Sequence, residues 1–231
     1  MTRLRAARDR ATSVGVLLCL LAASPAVAQT QPRSPRLVQA PPPEPRFGLR
    51  GYALFGTATL AAKETLDAVA DTHSRATFGG GAQVTNIWRS VFVDVSAAQL
   101  TLDGERVFVD NRQVFKLGIP LQIKMRSVDV AGGWRFTLMR RIFPYAGAGF
   151  TYLQYEESSS FAQTGEDVSE GKAGPLLLGG VDIRVWRWIS AGTELRWRRV
   201  RGILGEGGAS AEFGEDDAGG VNVAMRISVG R

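Results

Sequence analysis

The stretch Val221-Asn222-Val223-Ala224-Met225-Arg226-Ile227-Ser228-Val229 decides how this chain is read. Valine, methionine and isoleucine fill the odd positions, while Asn222, Ala224, Arg226 and Ser228 fill the even ones. A period of two marks a β-strand, because successive side chains point to opposite faces. The arginine on the polar face raises the question of what each face meets. In a soluble sandwich the charged face looks into water. In a membrane barrel the apolar face looks into lipid and the charged face turns into the lumen.

The same alternation recurs up the chain. Ala191, Thr193, Leu195 and Trp197 oppose Glu194, Arg196 and Arg198, and Leu177, Val181, Ile183 and Val185 oppose Asp182 and Arg184. Residues 144–155 read as a strand of small and aromatic residues. Val128, Val130, Gly132, Trp134 and Phe136 oppose Asp129 and Arg135, and Val91, Val93, Val95 and Ala97 oppose Asp94 and Ser96. Phe78, Gly80, Ala82 and Val84 mark a strand over 77–87, and 47–60 is a glycine- and aromatic-rich strand whose facing is ambiguous. Between Leu102 and Met125, the segments 106–110 and 113–117 read as a hairpin around Asp110-Asn111-Arg112, which continues two strands beyond the membrane. Near Arg126 the alternation slips by one, which predicts a bulge. No amphipathic helix of useful length and no 19-residue apolar window is legible in this body.

Eight strands result, with long connections after the first, third, fifth and seventh and short turns after the second, fourth and sixth. Outer-membrane barrels alternate in this way, with short periplasmic turns and longer outside loops. The fold expected for 47–231 is therefore an all-β, eight-stranded, antiparallel up-and-down transmembrane β-barrel. Trp88, Trp134, Phe136, Phe143, Trp186 and Trp188 cluster by the short turns, as an interfacial aromatic girdle would. Arg89, Arg140, Arg141 and Arg187 lie at the same end, within reach of lipid phosphates. The face turned inward carries Asp94, Asp129, Asp182 and Glu194 against Arg135, Arg184, Arg196, Arg198 and Arg226. A barrel this narrow has room for side chains but not for a water-filled pore, so these charges are expected to pair as a structural ion network.

The run Gly132-Gly133-Trp134-Arg135-Phe136, the basic turn Arg140-Arg141 and the run Pro144-Tyr145-Ala146-Gly147-Ala148-Gly149-Phe150 resemble the small eight-stranded bacterial outer-membrane barrels of the OmpA, OmpX and OmpW type. The resemblance spans 47–231. It implies an outer-membrane location, outer-membrane lipid and the barrel-assembly machinery as partners, and a monomer. The chain departs from that family at its end, Val229-Gly230-Arg231, where such barrels carry an aromatic residue.

Ahead of the body, residues 1–28 read as a secretory signal peptide. Arg3, Arg5, Arg8 and Arg10 form a basic start, Val14–Ala23 an apolar core, and Ala26-Val27-Ala28 a small-x-small cleavage pattern. The single cysteine, Cys19, lies inside it, so the mature chain is expected to lack thiols. The signal holds four arginines and one aspartate, and its removal lowers the formal charge from +6 to +3. Residues 29–46, with six prolines and no aromatic residue, read as a Pro-rich periplasmic linker. The basic residues are dispersed among acidic ones, which excludes a nucleic-acid-binding composition.

Little here carries chemistry. His73, the only histidine, sits beside Ser74 and near Asp71 in an outside loop, and no second motif supports a triad or a metal site. Gly80-Gly81 and Gly147-Ala148-Gly149 are not phosphate loops, since no helix follows them. No catalytic residue, cofactor or metal is expected. The primary reading is a non-enzymatic membrane barrel with a structural role or a surface-interaction role through its outside loops. The alternatives are a narrow channel for small, mostly hydrophobic molecules, a lipid-modifying enzyme using His73, and a soluble lipocalin-like barrel. The outside loops carry Glu156, Glu157, Glu166, Asp167 and Glu170, then Glu206, Glu212, Glu215, Asp216 and Asp217, and these acids are expected to attract divalent cations or basic surface partners.

Overall fold

A computed structural model of the chain describes residues 47–110, 112–159, 168–204 and 208–230. The signal and linker expected over 1–46 lie outside these residues, as do Asn111, Glu166, Asp167 and Glu206. Eight antiparallel strands run in chain order around a closed barrel. They are β1 (Gly48–Leu60), β2 (Ser74–Thr85), β3 (Val91–Asp110), β4 (Gln113–Arg135), β5 (Ile142–Ser159), β6 (Val168–Arg184), β7 (Ile189–Arg198) and β8 (Gly220–Gly230). The ring closes where β1 pairs with β8, from Arg50↔Gly230 to Leu60↔Gly220. Closure pairs the backbone amides of every strand, and this is what lets a sheet cross lipid at all.

The outer surface of the barrel is apolar over a band. Leu49, Phe55, Val95, Val130, Phe150, Leu177, Ile183, Leu195, Val223, Met225 and Ile227 are all exposed on it. In β8 this outward face runs from Val221 to Val229, nine residues, the length a tilted strand needs to cross a bilayer core of ~30 Å. A soluble barrel would put these side chains inside, so the lipocalin-like alternative falls.

The expected slip at Arg126 is absent. β3 and β4 stay in register from Val91↔Trp134 past Gln99↔Arg126, and the shift lies higher, between Glu105 and Val107. Leu121, Ile123, Met125, Ser127, Asp129 and Ala131 all point inward and are buried. Parity therefore holds along β4, and what changes is the solvent. Beside Asp129 the outside is lipid and the lumen is polar. Above Arg126 the outside is water, so Gln122, Lys124 and Arg126 face it, and the interior becomes apolar. Leu60, Leu66, Leu100, Leu102, Ile123, Met125, Leu153, Tyr155, Val200 and Ile203 form one buried cluster there, a soluble-type core that plugs the long-loop end.

Two short helices add to what the sequence pattern shows. In α1 (Lys63–Ala70), Leu66 and Ala70, with Ala62 just before the helix, repeat every four residues and bury one stripe against that core. Eight residues are too few to be stable alone, so packing holds α1. Glu215, from the loop after β7, accepts hydrogen bonds from the amides of Glu64 (3.1 Å) and Thr65 (2.8 Å) at its start, where the helix dipole favours a carboxylate. α2 (Gly208–Phe213) lies in that same loop.

The facing of β8 gives the first prediction. Val223 is exposed to lipid and Asn222 is buried in the lumen. Val223→Arg should cost about 2–4 kcal/mol of membrane stability, while Asn222→Asp, placed among guanidiniums, should be tolerated. Urea titration of the refolded barrel in phospholipid vesicles measures both, and equal damage would reverse the assignment of faces.

Candidate functional site

The inward positions of the membrane-spanning part converge on one charged cluster. Arg196 on β7 is buried at its centre. Its Nε donates to Glu194 Oε1 at 2.6 Å and its Nη1 to Asp129 Oδ2 at 2.7 Å and to the Ser96 hydroxyl. Its Nη2 donates to Tyr52 Oη at 3.0 Å and lies 3.5 Å from Asp94. Arg226 on β8 is fully buried one step away. It donates to the second oxygen of Glu194 at 2.8 Å and stacks on the Tyr52 ring, 3.7 Å from its centroid. Tyr52 and Tyr145 close the gaps by donating to Asp94 and Glu194, each at 2.7 Å. Toward the long loops, Arg198 grips Asp129 with two hydrogen bonds of 3.1 and 2.6 Å, and Thr151 donates to the same carboxylate at 2.7 Å. Toward the short turns, Asp182 is shared by Arg50 at 3.1 Å and Arg135 at 2.8 Å.

Arg50 is absent from the charges read in the sequence, because β1 is rich in glycine. The parity of Leu49 and Phe55, both outward, is the signal that assigns Arg50 to the lumen. With it, four carboxylates meet five guanidiniums. Arg184, expected among the lumen charges, makes no ion pair with them. It sits exposed at the mouth with its guanidinium 4.6 Å from the centre of the Phe143 ring.

Glycine makes room for the tyrosines. A Cβ on Gly81 would stand 2.7 Å from Tyr52 Oη, and one on Gly180 would stand 2.5 Å from Tyr145 Oη. Each ring thus lies across a bare patch of a neighbouring strand and carries its hydroxyl to a buried carboxylate. This close approach, and not a ligand, accounts for those strand glycines.

Five of the six aromatics read as a girdle, Trp88, Trp134, Phe136, Trp186 and Trp188, are exposed at the short-turn end. Phe143 is a correction. It pairs across to Asp182, points inward and is 8% exposed, holding Arg135 (5.2 Å) as well as Arg184 against its ring. At the other end His73 does not form the grouping read from its neighbours. Its Nδ1 meets Asp67 at 2.8 Å, Ser74 Oγ lies 3.0 Å from Thr59 Oγ1, and Asp71 binds Lys116 at 2.7 Å. That carboxylate holds the Lys116 ammonium above its ordinary pKa. Among the described residues no group of three or more His, Cys, Asp or Glu side chains is placed to hold a metal.

Glu194 is the residue whose loss should be felt most, since it serves both buried arginines. Glu194→Ala should cost about 3–5 kcal/mol, the penalty of leaving a buried charge without its partner. Arg226 is the coupled arginine, because its other carboxylate, Asp94, is 3.8 Å away, whereas Arg196 also holds Asp129. In a double-mutant cycle, Arg226→Met should recover part of the Glu194→Ala loss, with a coupling of about 0.5–3 kcal/mol. Denaturant midpoints measure this, and strictly additive losses would contradict it.

No family model matches the sequence, and no curated protein does. In fold, the chain is similar to a major outer membrane protein from Thermus thermophilus, at 8% identity and a TM-score of 0.54, over 80% of this chain and 99% of that one. It is also similar to Neisserial surface protein A (12% identity, TM-score 0.49, 79% and 96% covered) and to the N-terminal β-barrel domain of Pseudomonas aeruginosa OprF (9% identity, TM-score 0.45, 80% and 97% covered). The fold is that of the eight-stranded outer-membrane β-barrels, and the apolar belt around the outside is the surface such a barrel turns to lipid.

Proposed function

We propose that this is a non-enzymatic outer-membrane protein whose barrel serves as an anchor and whose long-loop end is an interaction surface. The observation that carries the reading is the filled interior. Arg196, Arg226 and Phe92 are at most 2% exposed across the middle of the lumen, and the apolar plug lies above them. This favours an anchor over conduction of small hydrophobic molecules, since a solute would have to break several buried ion pairs in sequence. The outer end is organised instead. α1 is tied down by Glu215, Asp67 meets His73, and the β3–β4 ladder runs past its neighbours as far as the pair Asp110↔Gln113.

Several outer acids already have work inside the protein. Glu156 pairs with Arg126 at 3.0 Å, and Asp217 accepts the amides of Val200 and Gly219. Among the described acids of these two loops, Glu170, Glu212 and Asp216 remain as carboxylates offered to divalent cations or basic partners.

Two measurements test the reading. Millimolar calcium should slow proteolysis of the outer loops in the refolded barrel, and the triple change Glu170→Gln, Glu212→Gln, Asp216→Asn should abolish that protection. Cleavage patterns and melting points indifferent to calcium would remove cations from the account. Cells carrying His73→Ala should have the same envelope lipid composition as wild type, and a changed lipid A or phospholipid profile would restore the enzymatic alternative.

A further inference from the structure

The short-turn mouth opens into a vestibule of ≈ 660 Å³ whose walls, among the described residues, hold five arginines, Arg50, Arg89, Arg135, Arg184 and Arg187, and no acidic residue. Two of them, Arg50 and Arg135, share the buried carboxylate of Asp182. The other three have no carboxylate partner among the described residues. They rest on aromatic rings instead: Arg184 on Phe143 (4.6 Å), Arg89 on Trp88 (5.8 Å) and Arg187 on Trp188 (5.4 Å).

This differs from the arrangement deeper in the lumen. There each guanidinium is matched to carboxylates, and the charge is nearly cancelled. At the mouth, like charges are gathered around a concavity, and Phe143 holds two of them, Arg135 and Arg184, on one ring. A concave, low-dielectric wall focuses the positive potential into the space it encloses. Guanidiniums present planar pairs of N–H donors that match the oxygens of phosphate, and the wall also carries the hydroxyl-bearing residues Ser90 and Thr137.

We propose that this vestibule is a binding site for phosphate-type oxyanions at the periplasmic mouth of the barrel. The charge is left uncancelled on the wall because the ligand supplies the opposite sign. Two sources present this chemistry there: the phosphate of an inner-leaflet lipid headgroup, and a soluble phosphorylated solute. Arg184 and Arg187 are the contact residues, and Arg50 and Arg135, fixed by Asp182, set the field behind them. The site does not depend on the role assigned to the long loops.

The test uses the refolded barrel in a maltoside detergent, which contains no phosphate, titrated with inorganic phosphate by calorimetry at low salt. Saturable one-to-one binding is expected. The pair Arg184→Gln, Arg187→Gln should weaken it by about tenfold or more per lost charge-assisted contact. The pair Arg140→Gln, Arg141→Gln, in a turn at the same end but outside the vestibule wall, should leave it unchanged. All four side chains are exposed, and heat-dependent gel mobility verifies that both variants fold. Phosphatidylglycerol added to the micelles identifies the source: competition with phosphate in wild type assigns the site to a lipid headgroup, and persistence of phosphate binding assigns it to a soluble anion. Absence of saturable binding, or equal loss in the two variants, overturns the proposal and leaves the arginines as diffuse interfacial charge.

Discussion

The interaction on which the rest of the structure depends is the pairing of Arg196 and Arg226 with Glu194, Asp94 and Asp129 inside the membrane. A guanidinium buried without a partner costs several kcal/mol, so a lumen holding two of them can close only if carboxylates arrive to meet them. They come from β3, β4 and β7, and the tyrosines that complete them come from β1 and β5. Six of the eight strands are thereby tied to one cluster. The network dictates small residues beside it as well, since Tyr52 and Tyr145 reach the carboxylates only across Gly81 and Gly180. A lumen so filled is a core built from charge.

Above it the same barrel uses the opposite chemistry. Above Arg126 the outward positions Gln122 and Lys124 of β4 are polar and its inward positions are apolar, and α1 with Val200, Ile203 and Ala218 packs onto the opening as a soluble core would. The molecule is thus an ionic core inside lipid joined to a hydrophobic core inside water, and β4 keeps its parity from one to the other, from Ala131 to Leu121. The short-turn mouth follows neither rule, because its arginines outnumber the carboxylates available to them.

The barrel is legible in the sequence because strict alternation, loop lengths and the aromatic girdle are local signals that agree. Eight strands with Asp94, Asp129, Asp182, Glu194, Arg196, Arg198 and Arg226 on one face can be placed by parity alone. Which of them touch cannot be read, because the contacts join residues as far apart as Tyr52 and Arg196 and depend on barrel stagger. Phe143 misleads because proximity to a turn does not fix facing, whereas its register opposite Asp182 does. The apparent bulge near Arg126 is a change of solvent that mimics a change of parity, since a shift of one residue and an inversion of environment look alike in a hydropathy pattern. α1 escapes notice because two turns of helix carry too few residues for a period, and its stability comes from Leu66 and from Glu215, far away in the chain.

Single-molecule conductance in planar bilayers tests the central claim, that this lumen is a sealed ionic core, most directly. The barrel inserted at neutral pH in molar salt should show no discrete conductance steps, since the ions would have to pass through the Arg196–Glu194–Arg226 cluster. Regular, reproducible steps from wild-type protein would mean that the cluster opens, and would contradict the account.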